Sequence, residues 1–213
     1  MMGAVRLMRY TNLASTIHIL RNNCLTLLSP KTWNDQNDSA YIAEYKRRKK
    51  VKSVLALCFT ESIETYHHWS NFAPGCDGVC IEFDKQGLVD AVRDEPDVDA
   101  QQVQYKTIKD VQRNPPGDEE LPFLKRLPYE PEKEFRIIFK STKVNTEAKR
   151  LPILLTAIKH ITLSPWMPEA LEASVTATLK SIPECDAIPM HRSTLLNNED
   201  WRKAVEPDLL STV

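Results

Sequence analysis

The decapeptide VKSVLALCFT, Val51 to Thr60, is the stretch that most restricts how this chain can fold. It is nearly all apolar and of strand length, the pattern of a central strand buried on both faces. Neighbouring strands must then pair along both of its edges. GVCIEFD (Gly78–Asp84) supplies the clearest alternating strand in the chain. AVRLMRY (Ala4–Tyr10) alternates too, with Arg6 in the opposite phase to Leu7 and Arg9. CLTLLS, QQVQYKTI, Glu134–Lys140, AIKHITLS and CDAIPMH read as further strands.

Helical spacing runs through TNLASTIHILRNN at Leu13, Ile17 and Leu20, with Thr11 or Asn12 as its cap. Further helices are expected over Ser39–Lys50, the aromatic TYHHWSNFA, Lys85–Val92, and MPEALEASVTATLKSI with Pro168 in its first turn. The mixed order, about seven strands with flanking helices, favours an α+β fold. The expectation is a single domain over residues 1–213 with a mixed or antiparallel sheet.

Composition removes several functions. A net charge of −1 provides no overall field for nucleic acid or membrane. No apolar run approaches the ~18 residues a membrane span requires, so no membrane partner is expected. The first residues lack a signal-peptide pattern, and the five cysteines are odd in number and irregularly spaced. Both features point to a cytoplasmic protein with reduced thiols and no metal. Cys76-x3-Cys80, even with Cys58 and His67 nearby, lacks a second close pair for zinc. With five glycines and no glycine-rich phosphate loop, Rossmann and P-loop readings are excluded.

Candidate chemistry concentrates in LPYEPEKEFRII. In a strand, alternate residues share a face, so Glu132, Glu134 and Arg136 point the same way if the strand begins early enough. Two carboxylates there can stabilise a developing cation, with Arg136 orienting one of them. An exposed acid–arginine ladder on an edge strand, worth ~0–1 kcal/mol, fits the same spacing. Arg9 and Tyr10 end the first strand, where an arginine can clamp a phosphate or ribose or pair across strands with Glu82 or Glu134. Trp69 can stack on a nicotinamide or a base, or simply pin its helix to the core; a neighbouring histidine can serve as acid or base. YKRRKKVK (Tyr45–Lys52) suits phosphate binding or the solvated end of a helix. Asn34-Asp35 caps the next helix or faces a ligand.

Several segments occur here in a characteristic order: the MRY strand and its helix, TWND, LCFTES, HHWSNFA with GVCIEFD, VQY, and YEPEKEFRII. In this the chain resembles the bacterial Domain of Unknown Function 2971 family over roughly residues 6–164, which leaves a helix–strand extension over 165–213. It departs from that pattern at Asn34-Asp35-Gln36-Asn37-Asp38 and at Trp69-Ser70-Asn71-Phe72. The layout is also distantly similar to that of ADP-ribosyltransferases. That similarity implies Arg9 as the first-strand element, Thr60 or Ser62 as the middle one, and Glu132 and Glu134 as the late Glu-x-Glu. It implies NAD as substrate, bound with the help of Arg9, Tyr10, Thr60 and Trp69, and a protein or nucleic-acid acceptor. Glu134 would contact the nicotinamide ribose and stabilise an oxocarbenium-like state, while Glu132 positions the acceptor. Bacterial toxin or phage-defence biology is the implied setting. Two alternatives stay open: a non-enzymatic nucleotide or nucleic-acid binding module, and a metal-dependent nuclease whose acids hold the metal.

Overall fold

The computed structural model describes residues 5–33 and 35–205. In chain order the elements are β1 (Arg6–Asn12), α1 (Leu13–Asn22), β2 (Cys24–Leu28), α2 (Gln36–Lys49), β3 (Ser53–Thr60), α3 (Tyr66–Phe72), β4 (Gly78–Asp84), α4 (Lys85–Arg93), β5 (Val98–Gln102), β6 (Gln104–Lys106), α5 (Ile108–Arg113), β7 (Leu124–Arg126), β8 (Glu134–Ser141), β9 (Ala148–Pro152), β10 (Ile158–Leu163), α6 (Glu169–Lys180), β11 (Met190–Arg192) and α7 (Glu199–Val205). Nine strands form one mostly antiparallel sheet, and β6 and β7 form a separate parallel pair. The fold is α+β.

β3 holds the centre that its apolar run demands. One edge pairs with β8 along the full length of both strands, from Ser53 opposite Ser141 to Thr60 opposite Glu134. The other edge meets β2 only at Ala56, opposite Leu28, and β1 only at Thr60, opposite Met8. The sheet therefore splits along that edge of β3. On its far side β1 pairs with β4, β4 with β10, and β10 runs parallel to β11.

The odd-numbered residues of β3 and β8, Leu55, Leu57, Phe59, Phe135, Ile137 and Phe139, lie in the main core. The even-numbered ones face the other way. At one end of that second face, Ala56 and Ile138 pack under Ile42 and Tyr45 of α2 and under Leu121 and Phe123. At the other end, Cys58, Thr60, Glu134 and Arg136 line a cavity.

α3 closes one side of the cavity. Thr65 caps it by accepting from the His68 backbone N–H, and Trp69 and Ala73 pack on Tyr10 and Cys80. Gly78 permits this close approach, because a Cβ there would fall 2.2 Å from the Ala73 carbonyl oxygen. Among the described residues, no helix is long and apolar enough to cross a membrane.

Several elements depart from the sequence expectation. The helix expected from Ser39 begins at Gln36, because Asp35 caps it by accepting from the backbone N–H groups of Asn37 and Asp38. QQVQYKTI is broken at the buried Val103, so β5 joins the large sheet while β6 pairs with β7. β7, β9 and α7 carry too short or too polar a pattern to be read from periodicity. Asn34 lies outside the described residues, so the Asn34-Asp35 pairing is represented only by Asp35.

Candidate functional site

The stretch that opens β8 is not a surface ladder. Residues 127–132 form a 3₁₀ segment, so Glu132 precedes the strand rather than belonging to it. Lys133 then takes a left-handed backbone conformation, φ 42°, before β8 starts at Glu134. Its N–H donates to the Glu130 carbonyl, and its carbonyl accepts from the Glu61 N–H. This one-residue turn brings both glutamates to the cavity and buries them, with Glu132 8% and Glu134 4% exposed.

Arg136 has no exposed surface. Its NH1 and NH2 donate to the two carboxylate oxygens of Asp38 at 2.9 and 2.7 Å, its Nε to Glu134 Oε1 at 2.7 Å, and NH1 also to the Pro122 carbonyl at 2.8 Å. The Trp33 ring lies 4.8 Å from its guanidinium carbon. Lys125 of β7 completes the floor. Its Nζ donates to Glu132 Oε2 at 2.5 Å and to Glu134 Oε2 at 3.1 Å, beneath the Tyr129 ring. Three carboxylates against two cations leave this buried floor with one formal negative charge.

The floor fixes the ionisation of its members. Burial works against the Glu134 carboxylate, but Arg136 and then Lys125 overcome it and hold the carboxyl down to about 2. Glu132 is pushed up from the ordinary carboxylate value, since burial outweighs the help it receives from Lys125. Glu134 is thus always ionised near neutral pH, and Glu132 is the more readily protonated of the two.

Arg9 bridges the split in the sheet. Its NH1 donates to the Cys58 carbonyl at 3.0 Å, a backbone acceptor on the edge of β3 between the two bridging residues Ala56 and Thr60. Arg6, not Arg9, forms the cross-strand ion pair with Glu82. Thr60 lines the cavity, yet its hydroxyl donates to the Glu132 carbonyl and accepts from the Ser62 N–H at 2.9 Å. It clamps the glutamate-bearing segment to β3.

Trp69 takes the core-pinning role rather than the stacking one. It is fully buried, its Nε1 donates to Glu64 at 2.7 Å, and it meets Tyr10 edge-on, so it offers no face to a ligand. The neighbouring His68 lines the cavity instead, its ring stacked on Tyr10 at 5.3 Å.

The cavity measures about 640 Å³, within the range of small-molecule sites. Trp33, Phe72 and Tyr129 supply aromatic surface to its wall. Among the described residues, four buried side-chain polar atoms lack a hydrogen-bond partner: Arg9 Nε, Tyr10 OH, Asp35 Oδ2 and His68 Nε2. All four residues line this cavity. These four atoms have next to no accessible surface of their own, so it is other parts of their residues that front the cavity.

Sequence reasoning missed Asp38, Lys125, Trp33 and Tyr129. Trp33, Asp38 and Tyr129 lie in stretches that the sequence singled out and Lys125 does not, but only tertiary folding joins Asp38 to Arg136 and Lys125 to Glu134. The basic run of α2 lies away from the cavity, with Arg47 and Arg48 bonded to Glu44, Arg48 also to Asp118, and Lys49 to Glu119. All five cysteines are free, and the described residues contain no group of three metal-ligating side chains.

No family model matches the chain, the Domain of Unknown Function 2971 family included, and no curated protein matches it at a significant level. Among solved structures, the chain is similar to Thermus sp. 2.9 DarT in complex with ADP-ribosylated single-stranded DNA, at 12% identity and a TM-score of 0.45 over 93% of this chain and 96% of that one. The same protein in complex with NAD+ gives 11% identity and a TM-score of 0.44, covering 93% and 98% of the two chains. At such identity and TM-score, function has to be argued from the residues of the cavity.

Proposed function

We propose that this chain is an NAD-consuming ADP-ribosyltransferase-like enzyme acting in the cavity at the sheet split. The observation that carries the reading is a cavity of about 640 Å³ whose buried floor sets Asp38, Glu132 and Glu134 against Lys125 and Arg136, an excess of one carboxylate. The charged and polar side chains that line the cavity suit a polar ligand. The floor favours one that develops positive charge as it reacts.

In this reading Glu134 supplies permanent negative charge beneath the ribosyl carbon. Its own oxygens stay bonded to Arg136 and Lys125, so it acts by field and position. Glu132 has one oxygen on Lys125, and its Oε1 has no hydrogen-bond partner among the described residues. Glu132 is therefore the carboxylate free to meet the ligand. The ribose C1′–nitrogen bond breaks, its electron pair leaves with nicotinamide, and an acceptor oxygen or nitrogen bonds to C1′. The acceptor's proton passes to Glu132, whose raised pKa suits it to hold one. Arg9, which lines the cavity at the split, is the cation for ribose or phosphate oxygens.

A second reading is a non-catalytic nucleotide-binding module. It is favoured by the engagement of both Glu134 oxygens, which already accept from Lys125 and Arg136. A metal-dependent nuclease has less support, since a divalent cation would have to displace Lys125 and Arg136 from the same carboxylates. Release of nicotinamide from NAD by the purified chain, with and without added lysate as a source of acceptor, tests the proposal. Tight NAD binding without release would support the module, and chelator-sensitive cleavage of nucleic acid the nuclease.

A further inference from the structure

We propose that Phe72 is a specificity-determining residue, a stacking platform at the cavity mouth for the heteroaromatic base at the far end of a dinucleotide, the adenine of NAD. The inference rests on the NAD reading above and assigns one part of that ligand to one accessible side chain. Phe72 lines the cavity and is 46% exposed, so a ligand there meets its ring without rearrangement of the wall.

The fold does not need Phe72 to hold its helix. Trp69, with no exposed surface, and Ala73 anchor α3 on Tyr10 and Cys80. Phe72 ends α3, with its ring centre 6.0 Å from that of His68. Leu28, at the end of β2, is a second open apolar side chain on the same cavity, 56% exposed. The lining is therefore graded. Asp38, Glu132, Glu134, Lys125 and Arg136 make a buried, charged floor, whereas Leu28 and Phe72 leave apolar surface open to solvent. A nucleotide is graded in the same way, with a polar ribose and phosphates and a base whose flat faces stack on aromatic rings.

Which base reaches Phe72 follows from the sheet. Met8 of β1, Thr60 of β3 and Glu134 of β8 lie side by side on three adjacent strands. α3 packs on β1 through Trp69 and Tyr10. The strand beneath α3 and the strand of Glu134 are thus two strand spacings apart, about 10 Å. A ring bonded directly to the carbon above Glu134 stays over β8. The ring that reaches the α3 wall is the one beyond the phosphates, and Arg9 of β1 lines the cavity on that flank as their cation.

The test is calorimetric titration of the full chain with NAD, ADP-ribose and nicotinamide mononucleotide, on the parent and on Phe72→Ala, Phe72→Leu and Phe72→Trp, with a thermal melt of each protein. Loss of one base–aromatic stack weakens binding roughly 5- to 150-fold. Phe72→Ala is expected to lose that factor for NAD and for ADP-ribose. Phe72→Leu should lose nearly as much, because it restores apolar volume without a π face, and Phe72→Trp should bind both at least as tightly as the parent. Nicotinamide mononucleotide, which lacks the adenine, should bind all four proteins alike, and the four should melt close together. A parent that binds ADP-ribose and a Phe72→Ala variant that binds it equally well overturn this inference and leave the NAD reading standing. A loss for nicotinamide mononucleotide as large as that for NAD also overturns it, and so does a Phe72→Ala variant that melts far below the parent and binds all three compounds poorly. A parent that binds ADP-ribose but releases no nicotinamide from NAD overturns the NAD-consuming reading alone. A parent that binds none of the three compounds overturns both.

Discussion

Arg136 and Asp38 are 98 residues apart in sequence and meet through two parallel hydrogen bonds of 2.9 and 2.7 Å, with neither side chain open to solvent. Such a pair costs much to desolvate, and removing one member strands the other as a buried charge. Asp38→Ala and Arg136→Met are each expected to lower stability by ~3–5 kcal/mol. In a chain of this size that is a fall in Tm of roughly 6–20 °C. Thermal melts of the two variants check it. A loss below ~1 kcal/mol would mean that the pair behaves as a surface ion pair.

Lys133 carries its left-handed conformation between the two glutamates. Glycine adopts that conformation without strain, whereas a β-branched residue does so poorly. Lys133→Gly should therefore leave Tm nearly unchanged, and Lys133→Val should cost ~1–2 kcal/mol and disturb the Glu132–Lys125 contact. Equal melting temperatures for the two variants would show that this turn does not depend on its backbone angle.

Acid should weaken the fold through Glu134. Its carboxyl titrates at about 2 in the folded chain against an ordinary 4.5, so the folded state holds this proton less tightly than the unfolded state. The stability it contributes, ~3 kcal/mol, is fully present above about pH 4.5 and is lost as pH falls toward 2. Glu132, with its raised pKa, works in the opposite direction and favours the fold as it protonates. Urea unfolding of the parent and of Glu134→Gln between pH 7 and pH 2.5 separates the two effects. The variant should be the less stable near neutrality and should lose less on acidification. Parallel pH profiles would contradict the assignment.

The basic end of α2 should matter little. Arg47, Arg48 and Lys49 are bonded to Glu44, Asp118 and Glu119 at exposed positions. Replacing Arg47, Arg48, Lys49 and Lys50 with Ser should leave the fold intact, each exposed ion pair being worth ~0–1 kcal/mol. Nucleic-acid binding is expected to be weak in parent and variant alike. Submicromolar, salt-sensitive binding that vanishes in the variant would overturn this.

The central strand and its alternating neighbours were legible because burial on two faces and on one face leave different residue patterns, as in VKSVLALCFT and GVCIEFD. The cavity was only half legible. Glu132, Glu134 and Arg136 announce themselves by spacing, although the spacing suggested a continuous strand where a 3₁₀ segment and a left-handed lysine do the work. The part that Asp38 and Lys125 play was illegible, since both reach the floor through long-range packing that leaves no periodic trace. Trp69 pins its helix to Tyr10 and Cys80, one of the two roles the sequence left open to it, while His68, adjacent on the same turn and stacked on Tyr10, lines the cavity.

The most direct measurement is NAD turnover by four proteins, the parent and Glu132→Gln, Glu134→Gln and Arg136→Lys, with melting curves on the same samples. The account predicts an active parent. It predicts a loss of roughly 10²–10³ in rate for Glu134→Gln, the usual effect of removing one electrostatic contribution to a transition state. Glu132→Gln should turn over more slowly than the parent while melting close to it, because the proposed function gives Glu132 the acceptor's proton and Gln keeps its shape. Arg136→Lys should lose both stability and rate, since an ammonium cannot reproduce the fork that holds Asp38 and Glu134. A parent that turns over NAD and a folded Glu134→Gln variant that does so equally fast would contradict the catalytic account of this floor.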